Sequence, residues 1–320
     1  MRVSTSQIFN SGTIGIQNRQ FDLFKTQQQL STGRRILAPE DDPIGASQAL
    51  QVSQSKGVNE QFIENIADAN SRLNLLDSTL GGVEQELQVV FERAVQAGNA
   101  SYSATQRGMI AEELKQRLAS LIDMANTQDG SGLYIFAGFQ SSAKPFAVDP
   151  GATPPYALGV GTTHVSYAGD GGQEQLQVSA SRVIATSENG IDVFMQVRDS
   201  QGSITGRSMF DTVKNMIDLL DPTSGIPFDP TAYGQTLNET SATIAHLSTV
   251  RASVGARMQS LDTMAGTAEN SDYLYETRLS QLQDLDYADA ISQLSRLQLQ
   301  LEAAQLSFKQ TSQLSLFNIL

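Results

Sequence analysis

The chain has 320 residues, 40% of them hydrophobic and 17% charged, enough for two or three small domains. A net charge of −13, two histidines and no basic run leave it without the clustered cations that nucleic-acid phosphates require. It has no cysteine, which removes disulfides, thiolate nucleophiles and cysteine-held metals.

No apolar run approaches the ~18 residues of a membrane span. The opening "MRVSTSQIFNSGTIGIQ" has neither the continuous apolar stretch nor the cleavage pattern of a secretory leader, so composition alone points to the cytoplasm. The charge is unevenly placed. Residues 1 to 37 carry Arg2, Arg19, Lys25, Arg34 and Arg35 against Asp22 alone, and residues 288 to 320 balance Asp289 and Glu302 with Arg296 and Lys309. The acidity therefore sits in the body, where it repels copies of the chain, and close packing of copies is expected at the ends.

In chain order, the first segment spaces Phe9, Ile16, Leu23 and Leu30 seven apart, with Thr13, Gln20 and Gln27 at the intervening core positions. This helix has few large apolar side chains to set against the entropy of ordering it, so it is expected to be marginal until copies pack together. "STGRRILAPEDDPIGA" then forms a hinge. Gly33 suits a helix end needing positive φ, Arg34 and Arg35 follow, and Asp42-Pro43 suits an N-cap and first helical position. Glu40 and Asp41 lie near enough to favour the positive end of that next helix.

From Phe62 an unbroken 4-3-4-3 stripe runs through Ile66, Ala69, Leu73, Leu76, Leu80, Val83, Leu87, Val90, Ala94 and Ala97, the spacing of a coiled-coil helix. Gly81-Gly82 weakens its propensity by ~1 kcal/mol per glycine, so packing must hold that point. Ile110, Leu114, Leu118, Leu121 and Ala125 mark a second helix. From 131 to 208 the text turns to glycine, proline and short β-prone pieces. "LYIFAGF" (133–139), "THVSYAG" (163–169) and "QLQVSASRVIA" (175–185) read as strands, "GDGG" and "ENG" as turns.

Helical text resumes with Phe210, Val213, Ile217 and Leu220, stopped by Asp221-Pro222. A long stripe follows through Leu237, Thr240, Ile244, Leu247, Arg251, Val254, Met258, Leu261, Ala265 and Ala268, a natural partner for the stripe from Phe62. The register through Leu279, Leu282 and Asp286 is offset from that of Tyr287, Ala290, Leu294, Leu297, Leu301, Ala304, Phe308 and Thr311, implying a second joint near Asp286–Tyr287. The expected fold is mainly α with a β insert. Its expected parts are a terminal coiled-coil domain from 1–38 and 287–320, a helical rod from 39–130 and 209–286, and an outer β-rich insert from 131–208.

No catalytic constellation emerges. His164 and His246 lack partners at metal-ligand spacing, and there is no His-Glu-x-x-His string. "LGVGTTH" lacks the third glycine of a dinucleotide fingerprint, and "GDGG" has one carboxylate, too few for a calcium loop. Asp284, Asp286 and Asp289 read as a solvated face or a charge contact between copies. No enzymatic activity, cofactor or metal is expected.

Several strings carry a family resemblance: "MRVSTSQIF" at the start, "QQQLSTGRRILAPEDDPIGASQAL" (27–50), "GLYIFAGFQSSAKPF" (132–146), "VSYAGDGG", "ENGIDVF" and the closing "LQLEAAQLSFKQTSQLSLFNIL". Together they resemble the flagellar hook-associated protein 3 family, the hook–filament junction proteins related to flagellin, nearly end to end. The resemblance implies a flagellin-like structural protein, exported unfolded through the flagellar type III export apparatus with an export chaperone and without a cleaved signal. It implies an extracellular place in a ring of copies between hook-associated protein 1 and flagellin, with the terminal helices in the tubular core and the β insert outward. The expected assembly interface is Phe9, Ile16, Gln20, Leu23, Gln27, Leu30, Tyr287, Leu294, Leu297, Leu301 and Phe308, and relatives suggest chaperone binding at Leu294, Leu297, Leu301 and Phe308. Flagellin itself is the nearest alternative. An adhesive fibre module has weaker support, since the chain has no tryptophan for stacking on sugars.

Overall fold

The computed structural model describes residues 5–157, 162–198, 203, 204 and 206–317. In order they form α1 (Thr5–Thr32), α2 (Pro43–Ala97), α3 (Ala104–Ala125), β1 (Phe146–Val148), β2 (Val165–Tyr167), β3 (Gln175–Ser179), β4 (Arg182–Ala185), a π-helical turn (Ile191–Met195), α4 (Met209–Leu220), α5 (Pro230–Gln283) and α6 (Tyr287–Phe317). The chain divides into two compact units, one from residues 1–60 and 269–320 and the other from 61–268.

The second unit is built on the long apolar stripe. From Ile66 to Ala97 every stripe position of α2 is buried, Leu73, Leu80, Val83, Leu87 and Val90 completely, while Phe62 at its start is half-buried. Helix α3 lies beside α2, joined by Arg117–Glu86 (2.9 Å) and Arg93–Glu113 (3.1 Å). Its start is set by a capping box in which Ser103 and Gln106 satisfy each other's backbone amides. Helix α4 uses the same device with Ser208 and Asp211, and it buries Phe210, Val213, Ile217 and Leu220, the four residues whose spacing predicted it.

Helix α5 runs antiparallel to α2 here, Tyr233 donating to the carbonyl of Ala94 at 2.6 Å and Arg251 reaching back to Asp77 and Glu84. The predicted stripe of α5 is only partly the buried one. Thr240, Leu247, Val254, Leu261 and Ala268 are buried, whereas Leu237 and Ile244 are half-buried and Thr236 and Thr243 take the deep positions beside them. Threonine can go inward because its hydroxyl bonds the preceding turn, as Thr240 does to the Thr236 carbonyl at 2.7 Å. Gly81 lies where the guanidinium of Arg251 crosses α2: a Cβ there would sit 3.3 Å from Nη2, so the residue that weakens the helix makes room for the cation.

The insert departs from expectation in one segment. Residues 133–139 form no strand. Phe136 and Ala137 are adjacent and both fully buried, and their carbonyls serve Gly190, Asp170 and the Tyr167 hydroxyl instead of a ladder. The other two predicted stretches do contain strands. Segment 163–169 supplies β2, which pairs antiparallel with β1, and 175–185 folds into the β3–β4 hairpin with a register shift between Gln177 and Ser179. Phe146 packs against Tyr167, Phe194 and Phe210 with centroids 5.1 to 5.5 Å apart, and this cluster is continuous with the helical core.

Two outcomes follow. Replacing the fully buried Leu87 by alanine should cost about 2–5 kcal/mol in denaturant unfolding. Asp221 accepts from Lys115 at 2.7 Å and from Thr223, and these bonds lower its pKa from 3.8 to about 2. The folded state thus favours the carboxylate, so this stabilisation is complete above about pH 4 and is lost as pH falls through about 2. Acid unfolding of Asp221→Asn should show a correspondingly shallower dependence on pH across that window.

Candidate assembly interface

In the first unit α1 and α6 lie antiparallel. Phe9 meets Phe308 with ring centroids 4.9 Å apart, and Arg19 donates to Gln300 at 2.6 Å. At the other end both helices stop at one joint. Gly33 closes α1 at φ +70°, its amide bonding the Gln29 carbonyl. Leu285 N donates to the Gly33 carbonyl and Arg35 N to that of Gln283, a bridge tying the exit of α1 to the end of α5.

The charged residues of the hinge take separate tasks. Asp42 accepts from Gly45 N at 2.9 Å, capping α2 directly before Pro43, and from Arg35 at 3.2 Å, whose guanidinium also reaches the Leu282 carbonyl. Asp41 turns away from the helix end. It pairs with Lys25 of α1 at 2.5 Å and accepts from the amides of Leu37 and Ala38, and the lysine, then those amides, hold its carboxyl below the usual range. Arg34 is exposed, its backbone bonded to the Thr32 hydroxyl. Of the acidic trio near the second joint, Asp286 caps α6 by accepting from Ala288 and Asp289, Asp284 accepts from Ser280, and Asp289 stands 4.0 Å from Arg296.

The expected interface residues divide into two groups. Leu297 is buried, and Ile16, Leu23, Leu30, Leu294, Leu301 and Phe308 are half-buried. Gln20, Gln27, Phe9 and Tyr287 are exposed, Phe9 while stacked on Phe308. The side chain of Thr311 and the strings at residues 1–4 and 318–320 lie outside the described residues. Much of the heptad stripe is thus turned inward, and among the described side chains of α1 and α6 the large apolar residues most open to water are others: Phe21 at 68% exposure, Phe24 at 63%, Leu299 at 67% and Leu306 at 62%, together with Ile14 and Ile291. A signal for them exists in the sequence. Ile14 and Phe21 are seven apart, as are Leu299 and Leu306, so each terminal helix carries a second apolar stripe two residues from the first.

Away from this unit, the His164 ring lies against Tyr156 and burial pushes its pKa down, while His246 Nε2 is 2.7 Å from the Asp192 carbonyl. Among the described residues no group of three or more His, Cys, Asp or Glu is placed to hold a metal ion.

Residues 3–141 match the bacterial flagellin N-terminal helical region and residues 237–320 the bacterial flagellin C-terminal helical region. Flagellar hook-associated protein 3 of Salmonella typhimurium is 28% identical over 331 residues, covering 100% of this chain and 99% of that protein. The flagellar filament 41 kDa core protein of Borreliella burgdorferi is 30% identical over 140 residues, only 43% of this chain and 41% of the relative. The fold is shared with the flagellar junction protein FlgL of Legionella pneumophila, at a TM-score of 0.59 and 20% identity, over 74% of this chain and 100% of that one. The chain thus carries flagellin-type helical regions at both ends and is similar to flagellar hook-associated protein 3 over its whole length.

Proposed function

We propose that this chain is a structural subunit of the bacterial flagellum and forms the junction between hook and filament. The observation that carries this is the reach of its relationships: hook-associated protein 3 matches it from end to end, whereas filament proteins match only part of it, 43% for the 41 kDa core protein and 58% for a flagellin B. In this reading copies form a ring that meets hook-associated protein 1 on one side and flagellin on the other. The chain reaches that place through the type III export apparatus with an export chaperone.

The terminal unit suits such a role physically. A two-helix hairpin buries one seam, and here α1 and α6 each retain a second apolar stripe that is largely open to water. Burying one large apolar side chain contributes about 1.5–3 kcal/mol, so seating Phe21, Phe24, Leu299 and Leu306 between copies stabilises the assembled state at the hairpin. Few charges stand in the way, since the excess acid lies in the body. Leu294, Leu297, Leu301 and Phe308, the suggested chaperone contacts, line the seam side of α6, so a chaperone using them binds before α1 docks.

Deleting the gene should leave hooks without filaments, with flagellin shed into the medium, as seen by electron microscopy and by blotting of the culture fluid. Filaments of normal number would overturn the junction reading, and bare hooks with flagellin absent everywhere would point to the filament subunit itself. A Phe21→Ser, Leu299→Ser chain should keep the helical circular dichroism of the parent in solution yet fail to restore filaments to the deletion strain.

A further inference from the structure

The apolar seam of the second unit leaves its own alignment undetermined. Leu73, Leu80, Leu87 and Ala94 recur every seven residues on α2, as Leu247, Val254, Leu261 and Ala268 do on α5. Sliding one helix past the other by a heptad, about 10 Å at 1.5 Å per residue, still sets apolar against apolar. Apolar burial alone therefore leaves neighbouring registers close in free energy.

Arg251 breaks this degeneracy. It interrupts the stripe between Leu247 and Val254, and its guanidinium donates to both oxygens of Asp77 at 3.0 and 3.2 Å and to Glu84 at 2.8 Å. Ser248, one turn earlier, donates to the other oxygen of Glu84 at 2.7 Å. The cation thus lies between two acids one heptad apart on α2, over the bare backbone of Gly81. A slip of seven residues in one direction would replace Asp77, Gly81 and Glu84 by Glu84, Gln88 and Phe91. A slip in the other direction would offer Asn70, Asn74 and Asp77. Each alternative keeps one carboxylate of the two and puts an amide side chain where the glycine makes room.

We propose that Arg251 is the register pin of the α2–α5 pair, a polar contact that selects one alignment among several of similar apolar burial. Selecting register is the best attested use of a polar group within an apolar helix seam. The consequence reaches the surface, because every exposed residue of α5 moves with the register. Copies that are to pack side by side must all share one.

The absence of cysteine makes the test direct: nitroxide labels at Q85C and A252C, read by pulsed electron paramagnetic resonance on the full chain, report the alignment of the two helices. The parent should give one distance. Arg251→Met should keep its helical circular dichroism and add a second population whose distance differs by up to about 10 Å; a single parental distance in that folded variant would overturn the proposal. A variant that relocates the pin, Asp77→Leu with Gln88→Gly and Phe91→Glu, should shift the main population to the slipped distance. If it keeps the parental distance alone, Arg251 does not set the register, whatever becomes of Arg251→Met.

Discussion

A narrow strip of buried side chains between two long antiparallel helices holds the second unit together, and the other elements there are positioned by it. On α2 the strip is apolar without interruption from Ile66 to Ala97, with burial recurring in the alternating threes and fours that keep one face of a helix toward its neighbour. A strip of this kind supplies attraction without direction. Direction comes from the polar groups beside it: Tyr233 on the Ala94 carbonyl, Arg251 between Asp77 and Glu84, Arg117 on Glu86 and Lys115 on Asp221. The insert is attached by the same means, through Arg257 to Glu188 and the Ala185 carbonyl and through His246 beside the Asp192 carbonyl.

The first unit works under a different constraint. Two helices alone can bury one face each, and α1 and α6 are apolar on more than that. The seam of half-buried Ile16, Leu23, Leu30, Leu294 and Leu301, with Leu297 at its centre, is enough to pair them but leaves Phe21, Phe24, Leu299 and Leu306 in water. The joint compensates at one end with directional bonds. Asp41 holds Lys25 and two loop amides, Arg35 reaches the end of α5, and the Gly33–Leu285 bridge closes the set. A hairpin fixed at its joint and incompletely covered along its length suits a subunit whose ends complete their burial against other copies.

Much of this was legible in the residues. Helix stripes are local signals: Leu73, Leu80 and Leu87 declare a buried face because backbone geometry alone brings positions 3.5 residues apart together. Helix ends are local too, and Gly33, Asp42-Pro43 and Asp221-Pro222 stand where helices stop or start. The 133–139 segment was misread because its β-prone composition was spent on burial, with carbonyls of Phe136 and Ala137 bonded to residues far along the chain. Which stripe of α1 faces the hairpin seam is not a local property for a related reason. Ile16 and Phe21 are equally apolar, and only the facing helix decides which is covered.

The sequence by itself determined the fold class, most of the places where helices begin and end, the acidic body between a basic and a neutral end, and the likeness to hook-associated protein 3. All of these depend on composition or on spacings of a few residues. Tertiary structure decided which of two apolar stripes on each terminal helix faces inward, that Asp41 serves Lys25 rather than the start of α2, and that Arg251 finds both its acids around Gly81. Those outcomes rest on contacts between residues far apart in the chain, where the energies of competing pairings differ by little and geometry in three dimensions selects among them.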